Sequence, residues 1–115
     1  MATSSERLQG TVDVLILKTL AWKSMHGYAI GQLLTAKSRG ELAVEGAALY
    51  QGLHRLERKR LIRSKWSMSE TKRRVRVYSL TPDGRARLAA ETDGWKRYAA
   101  AVARVLALKG GRVDA

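Results

Sequence analysis

Residues 46 to 62 read GAALYQGLHRLERKRLI, a set of side chains better suited to touching a polyanion than to catalysis. Leu49, Leu53 and Leu56 fall at i, i+4 and i+7 and make one apolar helical stripe. At about 100° per residue, Ala47, Tyr50, Gln51, His54 and Arg58 lie within roughly 90° of the direction opposite that stripe. An arginine can pair with guanine in a major groove and a glutamine with adenine, while tyrosine and histidine can donate to phosphates or bases. The small pair Ala47 and Ala48 would let the helix N-terminus approach a phosphate, where unpaired backbone amides stabilise negative charge. Gly52 falls beside the leucines, a position for packing. A merely solvated helix face has a similar composition, so the choice depends on the elements around it.

Other chemistries find no residues to carry them. His26 and His54 are distant in sequence and the chain has no cysteine, so no metal site is expected. The serines lack a nucleophile elbow and no glycine-rich phosphate loop occurs. We therefore expect no enzyme activity and no cofactor.

A net charge of +12 on 115 residues calls for an anionic partner, and its distribution narrows the choice. Ten basic groups against two acidic ones fall between residues 55 and 76, while residues 1–54 carry five against four and residues 77–115 seven against four. A membrane-surface helix would also be basic, but residues 62 to 81 read as extended chain and cannot form one amphipathic helix. RNA-recognition modules stack bases on paired aromatics, and no such pair is present. Double-stranded DNA is the expected partner. At 45% hydrophobic the chain is no disordered tail, and its length suits one small domain that dimerisation would help. No run of 18 apolar residues occurs and MATSSERLQG lacks the features of a signal peptide, so no membrane association and a cytoplasmic location are expected.

The elements that would hold the candidate face follow from periodicity. GTVDVLILKTLAW, 10 to 22, predicts a helix whose Val12, Val14, Leu15, Ile16, Leu17 and Leu20 leave it apolar nearly all round, hence buried on more than one side. A second helix over 26 to 40 puts Ala29, Ile30, Leu33 and Leu34 on one face, with His26 at its start and Gly40 as its stop. Gly31 inside it marks a close helix approach. The third helix is 46 to about 60. LIRSKWS and RRVRVYSLT, joined by polar MSETK, predict a two-stranded hairpin with a basic tip. Thr81 as N-cap and Pro82 at the first position then open a last helix running to about 108.

The fold class is therefore mostly α with a small β-hairpin, a winged helix-turn-helix plus a C-terminal dimerisation helix. We expect the DNA-binding domain over 8–81, the dimerisation helix over 82–108, and flexible tails at 1–7 and 110–115. Along the last helix Leu88, Thr92, Trp95, Ala99, Val102 and Leu106 are spaced 4, 3, 4, 3, 4, a heptad seam that needs a partner helix. A homodimer through Leu88, Trp95, Ala99, Val102 and Leu106, helped by the N-terminal helix, is expected.

LQGTVDVLILKTLAWKSMHGYAIGQLL, LYQGLHRLERKRLI and RRVRVYSLTPDGR together resemble the PadR family of bacterial winged-helix regulators, in its short form with a single C-terminal helix, over about residues 8 to 108. The resemblance implies a homodimer that binds operator DNA, usually as a repressor, often released by a small aromatic effector. It places Tyr50 on the family's recognition-helix tyrosine and Lys72, Arg73, Arg74 and Arg76 on its basic wing. With Gln51, His54, Arg58 and Lys65 they make up the expected DNA-binding set. Gln51 and Gly52 stand where many members have Pro-Ala, and Val77 replaces a common wing tyrosine, so the operator preference does not carry over. Trp95 matches in position a tryptophan that lines an effector pocket in multidrug-binding relatives; ordinary seam packing beside Gly94 and Ala99 is the alternative. The rival for the whole chain is a module that binds nucleic acid nonspecifically, or another protein, without an operator.

Overall fold

The computed structural model of the chain describes residues 4–111. Four helices, α1 (Ser4–Trp22), α2 (Gly27–Lys37), α3 (Gly46–Arg58) and α4 (Pro82–Leu106), are joined to three strands, β1 (Met25–His26), β2 (Ile62–Met68) and β3 (Arg74–Leu80). This is a winged helix carrying one long C-terminal helix. Two features differ from the expectation. Helix α1 begins at Ser4, inside the segment expected to be a tail, and residues 1–3 and 112–115 of the expected tails lie outside the described residues. The expected hairpin of β2 and β3 forms, but the sheet gains a third strand: β1 pairs antiparallel with β3, giving the order β1-β3-β2. A strand of two residues is too short to show an alternating pattern, and only pairing with Val77 and Tyr78 creates it.

The core forms where the apolar stripes of α1, α2 and α3 meet the base of the sheet. Ile16, Ile30, Leu53, Leu56 and Ile62 are almost wholly buried there, each contributing about 1.5–3 kcal/mol of burial. Gly52 is what lets α3 reach α1, because a Cβ at this position would stand 2.9 Å from Ile16 Cδ1 and 3.1 Å from Val12 Cγ1. A Cβ at Gly31 would sit 3.4 Å from Leu49 Cδ2, an ordinary van der Waals contact, so α2 and α3 meet there at a distance that does not require the expected glycine.

Local signals end each element. His26 caps α2, its Nδ1 accepting from the Ala29 amide at 3.2 Å. Past Lys37 the chain turns through left-handed Arg39 and Gly40, and the Gly40 amide donates to the Thr35 carbonyl at 2.8 Å. Thr81 caps α4 by accepting from the Gly84 amide at 3.0 Å, while its hydroxyl reaches back to the carbonyls of Arg60 and Leu61. Side-chain Cβ atoms are excluded at Gly84 by the Leu61 carbonyl. These contacts fix the direction in which α4 leaves the domain.

Past its first turns α4 projects away from the domain. The molecule measures 64 × 28 × 22 Å with a radius of gyration of 17.0 Å, against about 13 Å for a compact chain of this length. Leu88 is half-buried on the core and Trp95 Nε1 donates to Thr11 Oγ1 of α1 at 3.3 Å. Beyond Trp95, Val102, Val105 and Leu106 are exposed.

Candidate nucleic-acid interface

Helix α3 turns the expected face outward. Its leucines Leu49, Leu53 and Leu56 are buried, and Tyr50, Gln51, His54 and Arg58 on the other side are exposed. Tyr50 is held against the first residue of α2: a Cβ at Gly27 would stand 3.0–3.1 Å from its ring carbons and hydroxyl. The ring can take that position only because residue 27 has no side chain. It is nevertheless 47% exposed, enough for the phenol to meet a ligand.

The wing presents two faces. Cross-strand partners lie on the same side of a pleated sheet, so the pairs Trp66↔Arg76 and Met68↔Arg74 place both arginines with the indole. Lys65, by the alternation of β2, lies with Arg63 on the opposite face. Lys72 sits at the tip in a left-handed conformation, φ 60°, stabilised by its amide donating to the Ser69 carbonyl at 2.9 Å. The Ser69 amide donates in turn to the Arg73 carbonyl at 2.8 Å, which closes the turn.

Between the wing and the start of α2 lies an open cleft of about 1050 Å³. Four expected residues, Tyr50, Arg73, Arg74 and Arg76, line it together. Gln51, His54, Arg58, Lys65 and Lys72 lie outside it. The cleft also holds Tyr28 and Gln32 of α2, which the expected set left out. They are four residues apart on the helix side away from Ile30 and Leu34, so the same periodicity that assigned the core face also marked them as exposed.

Beneath the cleft, Tyr78 is buried, and this pushes its phenol above the ordinary value. The Glu57 carboxylate adds to that shift, the Arg76 guanidinium opposes it, and Tyr50 adds a smaller contribution. Helix α3 and the wing therefore share a polar layer.

Arg55, on the flank of α3, does not face the cleft. Its Nη2 donates to Asp13 Oδ1 of α1 at 2.7 Å, and both side chains are largely covered. The sequence carries no sign of this pair, because its members are 42 residues apart and no local pattern links them. Among the described residues no group of histidines, cysteines or carboxylates is arranged to hold a metal ion, and no helix is long and apolar enough to cross a membrane.

Comparison with known proteins agrees with this geometry. A family model described as the transcriptional regulator PadR-like family matches residues 16–90. A transcriptional regulator from Clostridium thermocellum is similar in structure, with a TM-score of 0.77 and 26% identity, over 90% of this chain and 97% of that one. A PadR family transcription regulator from Clostridium difficile has a TM-score of 0.68 and 29% identity, over 83% and 97% of the two chains. A PadR family transcriptional regulator from Eggerthella lenta has a TM-score of 0.73 and 26% identity over 90% and 88%. A protein of Lysinibacillus sphaericus is 26% identical over 91 residues, 79% of this chain and 84% of that protein.

Proposed function

Because the chain belongs to the PadR-like family of transcriptional regulators, we propose that it works as a homodimeric repressor that binds an inverted-repeat operator in double-stranded DNA. It is a regulator and not an enzyme. One observation supports the finer reading: Tyr50 of α3 and the wing residues Arg73, Arg74 and Arg76 line the same open cleft, and Gln51, His54 and Arg58 are exposed on α3 beside it. Two such units related by a two-fold axis would set their α3 helices into successive major grooves, about 10 base pairs apart, with the wings along the flanking backbone.

The proposed dimer forms through the seam of α4, where Trp95, Val102 and Leu106 are 45%, 37% and 78% exposed in the single chain. That apolar surface costs free energy in water unless a second copy covers it. Trp95 is the residue to which we assign an aromatic effector, since its side chain is partly exposed while its Nε1 donates to Thr11 Oγ1.

Footprinting on the DNA upstream of its own gene tests the reading. We expect a short protected palindrome; coating that grows with DNA length would favour a nonspecific module. A salt series then separates base reading from phosphate binding. Replacing Gln51 or Arg58 by alanine should narrow the gap between specific and nonspecific affinity, by about 1–3 kcal/mol for each base that is no longer read. Replacing Lys72 and Arg74 together should weaken both affinities alike and flatten the salt slope by about 0.9 for each phosphate that is no longer neutralised. Specificity unaffected by Gln51 and Arg58 but abolished by the wing pair would refute this assignment of roles.

A further inference from the structure

The wing arginines are not free side chains reaching into solvent. Arg74 lies over the Trp66 ring with its guanidinium carbon 4.5 Å from the centroid, and Arg76 lies at 5.4 Å from the same ring. Both distances are within the range of cation–π attraction. Arg76 has a second tether: its Nε donates to Ser64 Oγ at 3.0 Å. The Ser64 hydroxyl donates in turn to Glu57 Oε2 on α3, at 2.6 Å. A chain of contacts thus runs from the last turn of the recognition helix across β2 to both arginines of β3. Its members come from three elements and are brought together by the β2–β3 register.

Each link has a physical consequence. An arginine loses considerable rotamer freedom when it docks on a phosphate. One already stacked on an indole and hydrogen-bonded at Nε has given up much of that freedom in the free protein, and its remaining N–H groups are still available as donors. Glu57 would weaken DNA binding if it were simply a negative charge near the interface. Its placement behind Ser64 makes it an anchor instead, because the hydroxyl it orients is the acceptor for Arg76.

Resting on the reading of the wing as a DNA-contacting element, we propose that Trp66 and the Glu57–Ser64 pair are positioning residues that hold Arg74 and Arg76 as one preformed phosphate-binding unit whose orientation is set by α3. Trp66 itself need not touch DNA. With both guanidinium groups in place the indole is still 55% exposed.

Titration of the full-length protein with a random-sequence duplex, at several salt concentrations, tests the coupling. Trp66→Leu should weaken binding roughly 5- to 10-fold, and Trp66→Tyr, which keeps an aromatic face, should recover most of the loss. Against an Arg74→Ala, Arg76→Ala background, Trp66→Leu should have almost no further effect. Ser64→Ala, which changes no charge, should weaken binding by roughly threefold, and this loss too should vanish once Arg76 is alanine. Melting temperatures confirm that each variant is folded. Two results overturn the proposal while leaving the DNA reading intact: Trp66→Leu binding as tightly as the wild type, or losing the same factor with and without the arginines. If the double arginine variant keeps both full affinity and an unchanged salt slope, the DNA reading of the wing falls and the proposal falls with it.

Discussion

Helices α3 and α4 are both amphipathic, yet only one is completed by its own chain. The apolar stripe of α3 is covered by α1, α2 and the sheet, and Leu53 has no exposed surface. The seam of α4 is half-buried at Leu88, but its Trp95 and Val102 are exposed and Leu106 at its end is 78% exposed. In both, an apolar stripe at helical spacing can be read from the sequence. An apolar stripe shows that something must pack against a helix, while only the three-dimensional neighbours show whether that something lies in the same molecule.

The comparison breaks most sharply at Val102. An aspartate there would place a charge in the proposed seam, where pairing with a second copy would desolvate it. We expect Val102→Asp to turn a dimer into a folded monomer in sedimentation at micromolar concentration, with its circular dichroism retained and operator binding abolished. A wild type that sediments as a monomer, or a variant that remains dimeric, would mean that α4 meets some other surface.

Leu53 provides the reciprocal test. Truncation to alanine removes buried atoms and leaves a cavity between α3 and α1, and should cost about 2–5 kcal/mol of stability in chemical denaturation. Its effect should be the same whether the protein is monomeric or dimeric, because no second copy contributes to that part of the core. A loss below about 1 kcal/mol would mean that α3 is supported less by this core than its burial implies.

The two helices also differ in how much could be read from sequence. Leu49, Leu53, Leu56 and the cap residues His26 and Thr81 follow local rules of spacing and hydrogen bonding, so the winged-helix core was legible. Strand β1 was not, since its two residues acquire extended structure from pairing with Val77 and Tyr78. At the candidate interface, composition identified the basic wing but not its sidedness. Strand alternation separates Lys65 from Ser64 and Trp66, yet only the β2–β3 register puts Arg74 and Arg76 on the Trp66 side. The Arg55–Asp13 bridge and the Glu57–Ser64–Arg76 chain are tertiary contacts, and nothing in the neighbouring sequence announces them.

The smallest expected effect is a pH dependence, and it belongs to the α3 side alone. Burial holds the Tyr78 phenol above its ordinary value near 10, aided by Glu57 and opposed by Arg76. The folded state therefore keeps this proton more tightly than the unfolded chain does. That preference contributes stability which is fully present below pH 10 and is lost as pH rises through the folded value. Tyr78→Phe cannot ionise, so the difference in melting temperature between wild type and variant should stay constant up to about pH 10 and then shift in favour of phenylalanine. The Val102→Asp monomer should show the same alkaline trend, because Tyr78 is buried by its own chain. If the trend instead disappears on dissociation, then the polar layer between α3 and the wing depends on the second copy, and α3 is less self-sufficient than its buried stripe indicates.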